Sequence, residues 1–385
     1  MPGPTPPART VLLVGGGSGG HIYPNLAVAE RLAEDLRPHL VVSQREVDRR
    51  IAEASGLPFT AIPAAPLSVR PGAGLRFLRQ YRRGRAAVAR LIRETRAAAM
   101  LATGGFVSGP ALSAARARGC PAALIGLDAV PGKANRFAAR HADAVRSALP
   151  PAPGVAPLPR ARVVGYPLRR SAVADAAVTP ADARRRLGLD PARPTLLVFA
   201  GSQGALTINQ ALAAAAGDAE LCDLLGEHRW QLLHVTGIAA GQLDAVRSAY
   251  DAAGVSAVTL AYCESMDLAW RAADLALTRA GAGTVAEAWA NAVPCLMLPY
   301  PFHKDQHQRH NAAPLTALRG GVLLTDHVDP AQNLASLRTA LPPLLSDTEA
   351  RTTMRRALAQ HPPDDGAGHL ADWLAEAARA ADAAS

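Results

Sequence analysis

Four stretches of this 385-residue sequence bring together residue types that can hold a phosphorylated ligand. The first is VLLVGGGSGGHIYP, in which Gly15, Gly17 and Gly20 have GxGxxG spacing between an apolar run and a helical pattern. Such a turn offers bare backbone amides, and the helix start beyond it favours negative charge. The same spacing also serves a plain tight turn. A dinucleotide site would want an acidic residue about 20 positions on, at the end of the second strand. Val42, Ser43 and Gln44 stand there, so NAD is discounted. His21, beside the glycines, either opens the helix or accepts a proton from a ligand. The second stretch, FAGSQGALTINQ at 199–210, repeats the pattern with Ser202, which either caps a helix or meets a phosphate. The third runs from 278 to 312, where Thr284 and Glu287 have capping-box spacing and Glu287 can alternatively accept ribose hydroxyls. The fourth lies inside it: His303, Lys304, Asp305, Gln306, His307, Gln308, Arg309, His310 and Asn311, a solvated loop or a binding edge. His303, His307 and His310 have no acidic partner at a recognised zinc spacing, so no metal is expected.

Positioning these stretches takes alternating strands and helices. Strands are expected at 11–14, near 40–42, at 99–102 and at 122–125, with a helix from about Pro24 to Leu36, as in a doubly wound parallel sheet. The pattern restarts with a helix near 180–187 and strands at 195–200, 231–235, 257–260, 275–278 and 295–299. A Pro-rich stretch at 150–159 marks a change of composition, so two α/β domains are expected, 1–165 and 166–365, with the last helix, within 366–385, a candidate to pack back on the first. Apolar residues at 49% and charged residues at 19% fit such a chain and exclude a disordered one. No run approaches the roughly 20 apolar residues of a spanning helix, and the opening residues lack a signal-peptide core, so a cytoplasmic protein is expected. Cys120, Cys222, Cys263 and Cys295 are widely spaced and read as reduced thiols. The formal charge of +9 is concentrated at 70–96, where nine arginines face Glu94 alone. Nucleic acid, an anionic lipid surface or a phosphorylated substrate would suit that charge. Only Phe77 and Tyr81 accompany it as aromatics, and no nucleic-acid motif is present, so nucleic acid is the weakest of the three.

In order along the chain, GGSGGHIYPNLAVAERL at 16–32, TGGFVSGP at 103–110, GYPLR at 165–169, GSQGALTINQ at 201–210 and the block at 278–312 resemble the MurG family of GT-B glycosyltransferases. The resemblance spans most of the chain. It implies two Rossmann-like domains with parallel sheets facing a central cleft, and inverting transfer of N-acetylglucosamine from UDP-N-acetylglucosamine to an undecaprenyl-diphospho-muramyl-pentapeptide, without cofactor. It assigns Ser18, Gly19 and Gly20 to the donor sugar and diphosphate, Arg169 and the Cys263 backbone to uracil with Met266 nearby, and Ser202 to a phosphate. It assigns Ala282, Gly283, Thr284, Val285, Ala286 and Glu287 to phosphates and ribose, and His307 and Gln308 to sugar hydroxyls. His21 and Asp128 are the candidate general bases. The arginine-rich segment falls where the family carries an apolar patch ringed by basic residues, implying a peripheral protein on the cytoplasmic face of an anionic membrane. The sequence departs from the family at IGLD, 125–128, where HEQN is usual. Asp128 thus replaces an asparagine, and His307, Tyr166 and Ser18 replace glutamine, asparagine and threonine. A different acceptor, or a nucleotide-sugar-binding protein without catalysis, are the alternatives this leaves.

Overall fold

The computed structural model describes residues 8–17, 19–66, 73–201 and 204–383. They form two compact units, one drawn from the described residues within 1–170 and 364–385 and one from those within 171–363. In the first unit the strands are β1 (Arg9–Val14), β2 (Leu36–Ser43), β3 (Phe59–Ile62), β4 (Ala99–Ala102), β5 (Ala122–Gly126), β6 (Ala144–Ser147) and β7 (Arg162–Val163). Between them run α1 (Gly19–Ala29), α2 (Glu46–Ala54), α3 (Ala73–Thr95), α4 (Ser108–Arg118) and α5 (Lys133–Ala138). The sheet order is β3-β2-β1-β4-β5-β6-β7, all parallel. Val11, Leu12, Leu13 and Val14 are all fully buried, because helices cover both faces of a parallel sheet and its central strand is apolar throughout.

The second unit repeats the plan with β8 (Thr195–Phe199), β9 (Gln231–Val235), β10 (Ala257–Leu260), β11 (Leu275–Thr278), β12 (Cys295–Met297) and β13 (Gly321–Leu323) in the order β10-β9-β8-β11-β12-β13. Its helices are α6 (Pro180–Arg186), α7 (Leu206–Ala216), α8 (Ala219–Glu227), α9 (Gln242–Ala252), α10 (Met266–Ala272), α11 (Ala282–Ala290), α12 (His307–Asn311), α13 (Ala313–Ala317), α14 (Pro330–Ser346) and α15 (Thr348–Gln360). The last helix, α16 (Gly366–Ala383), belongs to the first unit: Leu370, Leu374 and Ala378 are buried in one cluster with Val11, Leu13 and Leu101. The chain returns there through a close crossing. A Cβ on Gly366 would stand 2.2 Å from the Gly165 carbonyl oxygen.

In both sheets the strand order reverses beside the first strand, between β1 and β4 and again between β8 and β11. The crevice at the carboxyl ends of such a pair is where α/β proteins bind ligands. Two local expectations change. Helix α1 begins at Gly19 rather than Pro24 and ends at Ala29 rather than Leu36, which puts His21 in its first turn. Pro24 is the sixth residue of α1 and costs it the hydrogen bond to the Gly20 carbonyl, but it does not set the helix start. At the other end Leu36 has already paired with Arg9 as the first residue of β2.

Candidate active site

In the first unit the turn after β1 is held from three sides. Asp48, in the first turn of α2 and fully buried, accepts the Gly17 amide through Oδ2 at 2.6 Å and the Ser43 hydroxyl through the same oxygen. Arg45 donates to the Gly17 carbonyl at 2.9 Å and lies 4.9 Å from the centroid of the Phe106 ring. The turn after β4 packs directly on the first. Gly105 has φ +77°, and a Cβ there would come 2.3 Å from the Gly16 carbonyl oxygen, so no side chain is accommodated.

His21 is fixed by the β4 turn. Its Nδ1 lies 2.9 Å from the Thr103 carbonyl oxygen, which can only accept, so Nδ1 carries a proton and, in the neutral ring, the lone pair is on Nε2. The ring lies against the backbone of Gly104 and Gly105. Thr103 donates its hydroxyl to the His21 carbonyl at 2.5 Å, and Asn25 donates to Thr103 Oγ1 at 3.1 Å. Asn135 of α5 approaches the same Gly104, and among the described residues its buried Oδ1 has no partner. Asp128 is half-buried, two residues beyond β5, the strand next to β4. Arg169 also belongs to this unit, with Cζ 4.7 Å from the centroid of the Tyr23 ring in α1. Ser18 lies outside the described residues.

In the second unit the turns after β8, β11 and β12 lie side by side at the carboxyl ends of adjacent strands. Helix α11 starts at Ala282 with Gly281 as its N-cap. Thr284 is therefore the third residue inside the helix, and the capping-box reading of Thr284 and Glu287 is incorrect. Glu287 has another fixture: its Oε2 accepts the indole N–H of Trp270 at 2.9 Å. Trp270 is buried in α10, whose first residue is Met266, and packs edge-on against Phe199 of β8. Cys263 is buried just before α10, and burial pushes its thiol pKa up. Ala282, Val285 and Ala286 are buried, while Gly283, Thr284 and Glu287 are part-exposed. Gln308 accepts the Tyr300 amide at 2.9 Å through its side-chain oxygen, and His307 donates to Asp305 at 2.9 Å. Ser202 lies outside the described residues.

Beneath these turns is a buried polar network that the sequence reading did not single out. Arg279 donates to the Leu298 and Pro299 carbonyls at 2.9 and 3.2 Å, to Asp326 Oδ2 at 2.5 Å and to the Thr207 hydroxyl at 2.7 Å. Asn333 and the Val328 amide donate to the other Asp326 oxygen. Burial alone would raise the Asp326 pKa, but hydrogen bonds from Thr207, Asn333 and Arg279 outweigh it and hold the carboxyl below its usual range. One guanidinium thus ties the ends of β11 and β12 to the start of α7 and the segment leading into α14.

The two glycine-turn units match known proteins along nearly the whole chain. Residues 11–147 match the glycosyltransferase family 28 N-terminal domain and residues 195–370 the glycosyltransferase family 28 C-terminal domain. A UDP-N-acetylglucosamine--N-acetylmuramyl-(pentapeptide) pyrophosphoryl-undecaprenol N-acetylglucosamine transferase of Nocardioides sp. is 38% identical over 95% of this chain and 97% of its own. Proteins of the same name from Clavibacter michiganensis subsp. michiganensis and Leifsonia xyli subsp. xyli are 38% and 41% identical, over 96% and 82% of this chain and 96% and 84% of theirs. The chain belongs to the MurG family. In fold it is similar to the crystal structure of Acinetobacter baumannii MurG, at TM-score 0.71 and 23% identity over 96% of this chain and 99% of that one. A UDP-glucosyltransferase from Polygonum tinctorium gives TM-score 0.68 at 16% identity over 97% and 99%, a likeness of fold alone. The architecture is GT-B, and MurG membership makes the chain a UDP-N-acetylglucosamine-dependent glycosyltransferase.

The sequence reading of this MurG chain passed over Asp48, Trp270 and Asp326, and gave Thr103 no role beyond opening the TGGFVSGP motif. None of them carries a spacing signal for its role, since each bonds to a residue far from it in sequence.

The arginine-rich segment forms α3, whose two halves differ. Val88, Leu91 and Ile92 are buried against the core, whereas Leu75 and Leu78 are exposed among Arg76, Arg79, Arg82 and Arg83. Arg82, Arg85 and Arg118, with Ala86, Ala89, Ala114 and Ala117, line an open groove of about 350 Å³. Arg70 lies outside the described residues.

Proposed function

We propose that this protein transfers N-acetylglucosamine from UDP-N-acetylglucosamine to the muramyl-pentapeptide carried on undecaprenyl diphosphate, with inversion at the anomeric carbon, as a step of peptidoglycan synthesis. The near full-length similarity to transferases of that name carries the reading. In the reaction, an acceptor hydroxyl oxygen bonds to the anomeric carbon as the bond to the UDP oxygen breaks, and UDP leaves with the electron pair. The acceptor proton goes to a base. His21 is the candidate that its surroundings favour, since Nε2 is the lone-pair nitrogen and the Thr103 bond holds the ring still. Asp128 is the second candidate.

On the donor side, Glu287 accepts the ribose hydroxyls, and its oxygen already held by Trp270 sets its orientation. The backbone of 282–287 lines the phosphates at a helix start, which offsets the charge gained by the leaving diphosphate without a tightly bound metal. Gln308 and His307 meet the sugar hydroxyls, Cys263 and Met266 the uracil, and Ser202 a phosphate. Arg169 is assigned to uracil and Ser18, Gly19 and Gly20 to the sugar and diphosphate, on the resemblance alone. The exposed first half of α3, with its arginines beside Leu75 and Leu78, is the surface for an anionic membrane. On this reading the protein is peripheral on the cytoplasmic face and contributes to cell shape and division. No helix among the described residues is long and apolar enough to cross a membrane.

The test is transfer of labelled N-acetylglucosamine from its UDP donor to undecaprenyl-linked or shorter-lipid muramyl-pentapeptide in detergent. The labelled disaccharide lipid is expected. UDP release without that product would replace the acceptor, as Asp128 in place of asparagine would favour, and donor binding without UDP release would rule out the enzyme. Sedimentation with anionic vesicles tests the membrane surface. Binding should fall with salt and in Arg82→Glu/Arg83→Glu, and binding indifferent to both would refute it.

A further inference from the structure

The polar loop after β12 folds so that alternate residues converge. Gln306 adopts the left-handed conformation, φ +46°, and its amide donates to the His303 carbonyl at 3.0 Å, closing the turn. As a result His303, Asp305 and His307 each present one ligand atom within 4.8 Å of the others. The imidazoles of His303 and His307 stand 4.3 Å apart between centroids at 62°, and the ring of Tyr300 backs His303 at 4.8 Å. His310, three residues further along α12, is not part of this group. The acidic partner that sequence spacing did not provide for these histidines is therefore Asp305.

We propose that His303, Asp305 and His307 form a binding site for a divalent transition-metal ion of the zinc class. Two imidazoles and a carboxylate are the donor set such ions take, and a harder ion such as magnesium prefers oxygen alone. Metal–ligand bonds of about 2.0–2.2 Å in a tetrahedral site put donor atoms roughly 3.4 Å apart. From the present spacing, within 4.8 Å, the donors have little more than about 1 Å to close, in a part-exposed turn. The ion would replace the His307–Asp305 hydrogen bond with bonds to both partners. Every donor lies in the second unit; His307 is also the residue assigned to a sugar hydroxyl, so an ion held there would compete with that contact, and the inference holds whatever the acceptor of the transferase is.

The test uses the intact chain without an oligohistidine tag, titrated with Zn²⁺ in competition with a chromophoric chelator. One equivalent is expected to bind, with affinity falling about tenfold or more in His303→Ala and in His307→Ala, since loss of even an outer-sphere partner costs 10–100-fold. His310→Ala should bind as the parent does. On the unaltered protein, Zn²⁺ should protect His303 and His307, but not His310, from acylation by diethylpyrocarbonate as mapped by mass spectrometry. Equal zinc affinity in His303→Ala/His307→Ala and the parent, or no protection of the two histidines, would overturn the site.

Discussion

The hydrogen bond from His21 Nδ1 to the Thr103 carbonyl selects one tautomer, and with it the nitrogen that can accept a proton. His21→Ala is expected to lower kcat by about 10²–10⁴-fold, the usual worth of a positioned general base, and to leave the donor KM near its parental value. Asp128→Asn installs the asparagine that the resemblance to the family implies for this position and should preserve turnover if His21 is the base. Near-normal kcat in His21→Ala with a collapse in Asp128→Asn would reverse the assignment. A second histidine shows the opposite use of the same ring. His234 is fully buried between the Tyr250 hydroxyl at 2.8 Å and Asn209 Oδ1 at 3.1 Å, and burial pushes its pKa down to about 3. The folded chain then keeps His234 neutral while the unfolded chain binds a proton below about pH 6.5. Its contribution is complete above that pH and is lost as pH falls from about 6.5 toward 3, at up to about 1.4 kcal/mol per unit. Urea unfolding of the parent should show stability declining between pH 6.5 and 5. A His234→Gln variant should be less stable at pH 7 and decline less steeply. An identical pH slope in the two proteins would mean that other groups carry the effect.

At the scale of elements, Arg279 and Asp326 explain how three turns from separate parts of the sequence keep one arrangement. Removing one partner of a buried pair leaves an uncompensated charge, at a cost of about 3–5 kcal/mol. Asp326→Ala should lose that much in urea unfolding followed by the fluorescence of Trp230, Trp270 and Trp289. Arg279→Met/Asp326→Leu should regain part of it. A small loss in Asp326→Ala would show that the ends of β11 and β12 hold without the pair. The strands at 231–235, 257–260 and 275–278 were legible to the residue, because each is a short, mostly apolar run, buried in β9 and β11 and part-exposed in β10 at the sheet edge. The glycine turns were legible because a strand, glycines and a helix follow one another locally. What sequence did not disclose was the long-range pinning: Asp48 to Gly17, Thr103 to His21 and Trp270 to Glu287. Those bonds join residues 31, 82 and 17 positions apart. Thr284 and Glu287 misled because their spacing is that of a cap, and only the helix start at Ala282 shows otherwise.

At the scale of the whole molecule, the first unit is built from two separated parts of the chain. Leu370 and Leu374 of α16 are buried with strands that lie more than 260 residues earlier, such as Leu101 in β4 and Leu13 in β1. Leu374→Ala should therefore destabilise the first unit, not the second, by about 2–5 kcal/mol. Thermal unfolding would resolve this as a lowered transition with protease-sensitive sites confined to residues 8–170 and 364–383, and sensitivity within 171–363 instead would contradict it. The discontinuity bears on how the protein is made. A chain leaving the ribosome has all of residues 171–363 in hand before Gly366–Ala383 emerges, so the second unit can close its core while the first still lacks a helix. Folding then runs against the direction of synthesis, with the earliest-made residues finishing last. An arrested nascent chain ending near residue 363, with a spacer to clear the exit tunnel, should yield a protease-resistant second unit attached to a cleavable amino-terminal half.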